Sequence, residues 1–83
     1  MTQSMEIEVK LFGTFQKYLP PGSENYTCRL ELEEGATIGQ VLEKLKISRY
    51  ALMVTLVNGV HSTFKDRLHS GDVLKISPPL AGG

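Results

Sequence analysis

The sequence predicts an α+β fold, a mixed sheet of four or five strands with one main helix packed across it. Three observations carry this. Two segments in the first third of the chain alternate apolar and polar residues with the two-residue period of a half-buried strand, one later segment repeats apolar residues at helical spacing, and short apolar stretches separated by turn residues follow. A helix standing between two groups of strands must cover one face of their sheet, because its apolar stripe has to be buried against something.

The first strand runs from Met5 to Phe12, with Ile7, Val9 and Leu11 on one face and Glu6, Glu8 and Lys10 on the other. Residues 19–25 join two prolines, which cannot donate to a ladder, with Gly, Ser and Asn, and read as a loop. Alternation resumes with Tyr26, Cys28, Leu30 and Leu32 against Thr27, Arg29 and Glu31, so the two strands are expected to pair as an antiparallel hairpin with Cys28 in the core. Thr37 and Gln40 match the capping box that opens a helix, and Ile38, Val41, Leu42 and Leu45 then give the i, i+3, i+4, i+7 stripe. Leu52 to Val57 is a nearly continuous apolar run of strand length and is expected to be the central strand. Asn58-Gly59 after it accepts the positive φ angles of a tight hairpin turn. Val60-His61 returns briefly, Phe64 and Leu68 frame a polar turn, and Ser70-Gly71-Asp72 precedes a last strand built on Val73, Leu74 and Ile76.

A chain of 83 residues builds one core, and a domain of this size leaves little room for a deep catalytic cleft. Nine Lys and Arg balance nine Asp and Glu, so no net field draws nucleic acid or an anionic membrane. The charge is uneven: seven acids and three bases fall in residues 1–43, two acids and six bases in residues 44–83. Lys44, Lys46 and Arg49 could face an acidic partner, but such a cluster is more often a solvated surface. One cysteine cannot form an internal disulfide, and no Cys or His cluster has the spacing of a zinc site. With no apolar run of membrane-spanning length and no leader pattern at the N-terminus, a cytoplasmic location is expected.

After Ile76 the chain reads Ser77-Pro78-Pro79-Leu80-Ala81-Gly82-Gly83. Two prolines stop the strand and hold the backbone extended, so residues 1–77 are expected to form the domain and residues 78–83 a flexible tail. Glycine lacks a Cβ and can enter a channel too narrow for other residues.

The order strand, strand, helix, strand, Val57-Asn58-Gly59, Leu68-x-Ser70-Gly71-Asp72, Pro78-Pro79 and Gly82-Gly83 resembles the ubiquitin-like sulfur carriers over essentially the whole chain. The resemblance implies a β-grasp fold and places the chain nearest the small subunit of molybdopterin synthase, with the thiamine-pathway sulfur carrier and the sulfur-carrying protein modifiers as cousins. It also implies that an ATP-dependent, E1-like partner adenylates the terminal carboxylate at Gly83, that Pro79, Leu80, Ala81 and Gly82 thread the partner's active site, and that a Gly83 thiocarboxylate then donates sulfur inside an acceptor enzyme such as the large synthase subunit. No cofactor is bound by the carrier itself; ATP is used by the activating partner. The chemistry is sound, since a carboxylate with a reference pKa near 3.5 resists nucleophiles whereas an acyl adenylate carries a good leaving group. Two positions depart from the family: Val60 stands where an acidic residue often follows Asn-Gly, and Ser77 replaces a commoner apolar residue.

Other residues are read conservatively. Cys28 on an apolar strand face is core packing rather than a relay thiol. His61 and His69, in turn-rich sequence without a nearby nucleophile, are surface residues. Phe12, Phe15, Tyr18 and Phe64 either close the core or anchor a partner. Besides the sulfur carrier, two functions fit the sequence: a modifier joined to target lysines through Gly83, and a non-covalent ubiquitin-like module in which the Gly-Gly end is incidental.

Overall fold

The computed structural model describes residues 3–79. Strand β1 (Ser4–Leu11) pairs antiparallel with β2 (Thr27–Glu33), setting Met5 against Leu32, Ile7 against Leu30 and Val9 against Cys28. All six point to one face and are buried, as the two-residue period requires. Helix α1 (Ile38–Leu45) follows, then β3 (Val54–Val57), β4 (Val60–His61) and β5 (Val73–Ser77). The sheet order is β2-β1-β5-β3-β4, with β5 parallel to β1 and antiparallel to β3. One core joins the inward residues of β1, β2 and β5 to Ile38, Val41, Leu42 and Leu45 of the helix. The five-stranded sheet, the hairpin and the helix all match the sequence expectation.

The helix begins where the sequence places it. Thr37 Oγ1 accepts the Gln40 backbone N–H at 3.3 Å and Gln40 Oε1 accepts the Thr37 N–H at 2.8 Å, closing the capping box. Two further N–H groups of the first turn, which have no partner inside the helix, donate to a distant segment: Ile38 to the Asp66 carbonyl and Gly39 to the Phe64 carbonyl. The approach is close: a Cβ at position 39 would lie 3.1 Å from the Phe64 oxygen, so a larger residue would push the 64–66 segment back by a few tenths of an ångström. At the other end Lys46 takes a left-handed φ of 62°, and the Ile47 N–H reaches back to the Leu42 carbonyl at 2.8 Å, which turns the buried Ile47 onto the core.

Two sequence expectations need correction, and one element is not foreseen. The apolar run Leu52–Val57 is not the central strand: pairing starts at Val54, Leu52 is 80% exposed, and β5 occupies the centre. The reason is the register, which puts Thr55 and Val57 on the inner face with Ile76 and Leu74 but Val54 and Leu56 on the open face with Ser77 and Lys75, so apolarity here marks no two-sided burial. Tyr26 is not an inward strand residue. Asn25 and Tyr26 both adopt positive φ, 53° and 59°, in a turn closed by the Thr27 N–H on the Glu24 carbonyl at 2.9 Å, and the tyrosine is half exposed beside Phe12. Finally, Gly13–Tyr18 forms a 3₁₀ helix that buries Phe15, an element without readable periodicity in six residues.

The Asn58-Gly59 and Ser70-Gly71-Asp72 turns, separate in sequence, meet in space. Asn58 Nδ2 donates to Asp72 Oδ1 at 3.0 Å, Asn58 Oδ1 accepts the Val73 N–H at 3.0 Å, and Asp72 Oδ2 accepts the His69 N–H at 2.8 Å. These bonds lock the start of β5 to the end of β3.

Two substitutions test the packing. Leu42→Ala removes a buried side chain at the helix–sheet seam and is expected to cost about 2–5 kcal/mol in urea unfolding; a loss below about 1 kcal/mol would place the seam elsewhere. Asn58→Ala and Asp72→Ala are expected to cost about 1–3 kcal/mol each and to couple by at least ~0.5 kcal/mol in a double-mutant cycle. Additive losses would mean that the two turns do not depend on each other.

Candidate functional site: the end of β5

The chemistry assigned by sequence lies beyond the last strand, so the geometry of the site is that of the tail's root. The Phe12 N–H donates to the Ile76 carbonyl at 3.0 Å, extending the β1–β5 ladder by one bond. Gly13 follows at φ +58°, and a Cβ there would fall 2.7 Å and 2.8 Å from Cγ and Cδ of Pro78. The Pro78 ring is therefore seated on the backbone of Gly13, half-buried, and Pro79 is the first exposed residue after it. Leu80, Ala81, Gly82 and Gly83, and with them most of the expected flexible tail, lie outside the described residues. Pro79 is the one expected site residue within them. The Gly13 seat had no signal in the sequence, because a glycine demanded by a neighbour across the fold looks like any other.

The remaining candidates fall as follows. Cys28 is buried against Val9, and burial pushes its thiol above the ordinary value, so the folded chain holds it protonated. Both histidines are exposed; His69 Nδ1 lies 3.8 Å from Asp72 Oδ2. Phe15 is buried and Tyr18 packs against the core, which answers for two of the four aromatics. Phe64 lies under the Arg49 guanidinium, 5.4 Å from the ring centre. Two members of the basic cluster have partners within the chain: Lys44 Nζ donates to the Glu31 carbonyl at 2.8 Å and Arg49 Nη2 to Glu43 at 3.2 Å. Among the described residues no three Cys, His, Asp or Glu side chains converge as a metal would need, and no polar side chain is buried. The body is thus built on an apolar core, and what it positions is the point where the chain leaves β5.

A mixed five-stranded sheet holding one helix across its inner face, with the C-terminal strand at its centre, is the ubiquitin-like β-grasp architecture. The chain belongs to the ThiS family of ubiquitin-like sulfur carriers, whose model matches residues 9–83. It is similar to the HVO 2177 protein of Haloferax volcanii, at 26% identity and a TM-score of 0.75 over 96% of this chain and 88% of that one. The crystal structure of SAMP1 from Haloferax volcanii aligns at 27% identity and a TM-score of 0.71, over 94% and 99% of the two chains. The complex of subunits 1 and 2 of molybdopterin-converting factor from Helicobacter pylori contains a chain of the same fold, at 20% identity and a TM-score of 0.57 over 95% of this chain and 100% of that one. No curated protein matches the chain.

The state of Cys28 gives a direct test. Because the thiol is raised in the folded chain, the unfolded chain releases its proton first as pH rises. Stability is then full below the thiol's ordinary range and falls above it. Cys28→Ala is expected to remove that alkaline slope. In the native protein at neutral pH the thiol should react with an aromatic disulfide reagent roughly 100-fold more slowly than in denaturant. Equal rates in the two states would mean that Cys28 is accessible.

Proposed function

We propose that this protein is a sulfur carrier acting through a C-terminal Gly83 carboxylate, in the role of the small subunit of a molybdopterin synthase. The observation that carries the reading is a ThiS-family β-grasp body whose central strand runs directly into Pro78-Pro79 and on to Gly82-Gly83. An E1-like partner supplies ATP. The Gly83 carboxylate oxygen attacks the α-phosphorus, releasing pyrophosphate and leaving an acyl adenylate. The terminal sulfur of a persulfide then attacks the carbonyl carbon and expels AMP, and a thiol cleaves the resulting acyl disulfide to free the thiocarboxylate. Within an acceptor enzyme that sulfur is transferred and the carboxylate returns. Pro79, Leu80, Ala81 and Gly82 span the channel between the body and the reacting carbon. The carrier supplies no catalytic side chain and no cofactor.

The proline pair ahead of Gly82-Gly83 supports the molybdopterin branch over the thiamine one, and the subunit complex from Helicobacter pylori supports a large-subunit acceptor as the partner class. A cytoplasmic location suits a step that consumes ATP, and no helix among the described residues is long and apolar enough to cross a membrane. A second reading is favoured by one observation: SAMP1 is a small archaeal modifier protein, and similarity to it supports conjugation of Gly83 to lysines of target proteins.

Mass spectrometry after incubation with ATP, the activating enzyme and a sulfur donor separates these readings. The wild-type chain is expected to gain the mass of one oxygen-to-sulfur exchange at Gly83. Deleting Gly83 withdraws the reacting carbon by nearly one residue, about 3.3–3.6 Å, far outside the tolerance of an aligned attack, and should abolish the product. Gly82→Leu should also fail, through its side chain rather than its reach. Cys28→Ser should retain the product. Thiocarboxylate on the Gly83-deleted chain, or its loss from folded Cys28→Ser, would move the chemistry elsewhere; isopeptide-linked lysines without sulfur transfer would favour the modifier.

A further inference from the structure

We infer that Tyr50 and Leu52 form the surface on which the tail-activating enzyme seats the body of this protein, a conclusion that rests on the carrier reading above and assigns its partner a docking site. Tyr50 is 91% exposed and Leu52 80%, the two most exposed of the large apolar side chains described. They belong to residues 48–53 between α1 and β3. This segment is anchored: Ile47 is buried, Ala51 and Met53 pack against the core, the Ala51 N–H reaches the Ser48 carbonyl, and the Tyr50 N–H reaches Ser48 Oγ, each at 3.1 Å. Residues 50–53 thus alternate, with Ala51 and Met53 inward and Tyr50 and Leu52 held in solvent. An apolar pair presented from an anchored segment is a different object from one on a fraying end.

Its position connects it to the tail. The β3–β5 ladder ends with Val54 opposite Ser77. Leu52 precedes Val54 by two residues and Tyr50 precedes it by four, so they lie within about 7 Å and 14 Å along the chain of the residue that faces Ser77. From Pro79 to Gly83 the chain adds four residues, which span at most roughly 13–14 Å in any conformation. An enzyme holding the Gly83 carbon in its active site is therefore in contact with the body around Pro79. A specific interface covers about 800 Å² on each partner, a patch roughly 30 Å across. Centred on the tail's root, such a patch reaches roughly 15 Å and takes in both Leu52 and Tyr50, exposed apolar side chains of the kind that serve as interface anchors. The complementary feature on the enzyme is an apolar recess at the mouth of the channel that admits the tail.

The experiment uses full-length carrier, the purified E1-like adenylating enzyme encoded in the same genome, and ATP–pyrophosphate exchange as readout. Replacing both side chains, Tyr50→Ser with Leu52→Ser, is expected to raise KM for the carrier about 10- to 100-fold while kcat stays within about twofold, because the tail and its carboxylate are intact. The thermal midpoint should not fall, since neither side chain is buried. Leu52→Asp alone, which leaves the ring in place, should move KM in the same direction. Gly82→Leu is expected to show the opposite split, losing kcat. KM within about twofold of wild type for both the double variant and Leu52→Asp would overturn the docking surface while leaving the carrier reading intact. Failure of the wild-type chain to support any exchange would overturn that reading, and the docking surface with it.

Discussion

The parallel pairing of β1 with β5 is the constraint on which the other features depend. It joins residues from opposite ends of the sequence, Glu8 with Val73 and Leu11 with Ile76. Without it the β1–β2 hairpin would be separate from the β3–β4–β5 group, and an isolated two-stranded hairpin is marginally stable at best. With it, the last strand lies in the middle of the sheet, and Leu74 and Ile76 are fully buried under the helix. Because the pairing is parallel, β1 and β5 also end on the same side. That brings Gly13 under Pro78, so the chain leaves the central strand through a proline already in place.

The two faces of the sheet are used differently. The inner face and the α1 stripe form a core with no buried polar side chain, which removes the groups a fold would otherwise have to satisfy in low dielectric. The open face divides along its width. Over β1 and β2 it carries Glu6, Glu8, Arg29 and Glu31, with Arg29 3.6 Å from Glu8; over β3 it carries the half-buried Val54 and Leu56. Exposed ion pairs of this kind contribute little to stability. The apolar half borders the tail's root, with Val54 opposite Ser77. A body this small, with an apolar interior, is consistent with the proposed function, in which a partner performs the chemistry on a presented terminus.

The features legible in sequence were those with a local cause. The periods of β1, β2 and α1 follow from which face each residue turns to the core, and Thr37 with Gln40 form their bonds within a single helical turn. Cys28 was readable as core from its parity in β2. The Gly82-Gly83 end and the proline pair stand in the sequence as they are, and their order relative to the other motifs was enough to indicate the family that the match over residues 9–83 establishes.

Only the tertiary structure decided what depends on partners distant in the chain. A one-sided apolar run and a two-sided one have the same composition, so Leu52–Val57 looked central until the register sent Val54 and Leu56 to the open face. Tyr26 kept strand parity in sequence, but Glu24 and Thr27 close a turn that forces it to a left-handed backbone. The Gly13 seat under Pro78, the approach of Phe64 to Gly39, and the bonds between Asn58 and Asp72 all depend on segments that meet only when β1 pairs with β5 or the 64–68 turn reaches the helix start. Local sequence sets which way a side chain turns, because that is fixed within a few bonds. What it meets there is fixed by the pairing of strands far apart in the chain, and no local pattern encodes that.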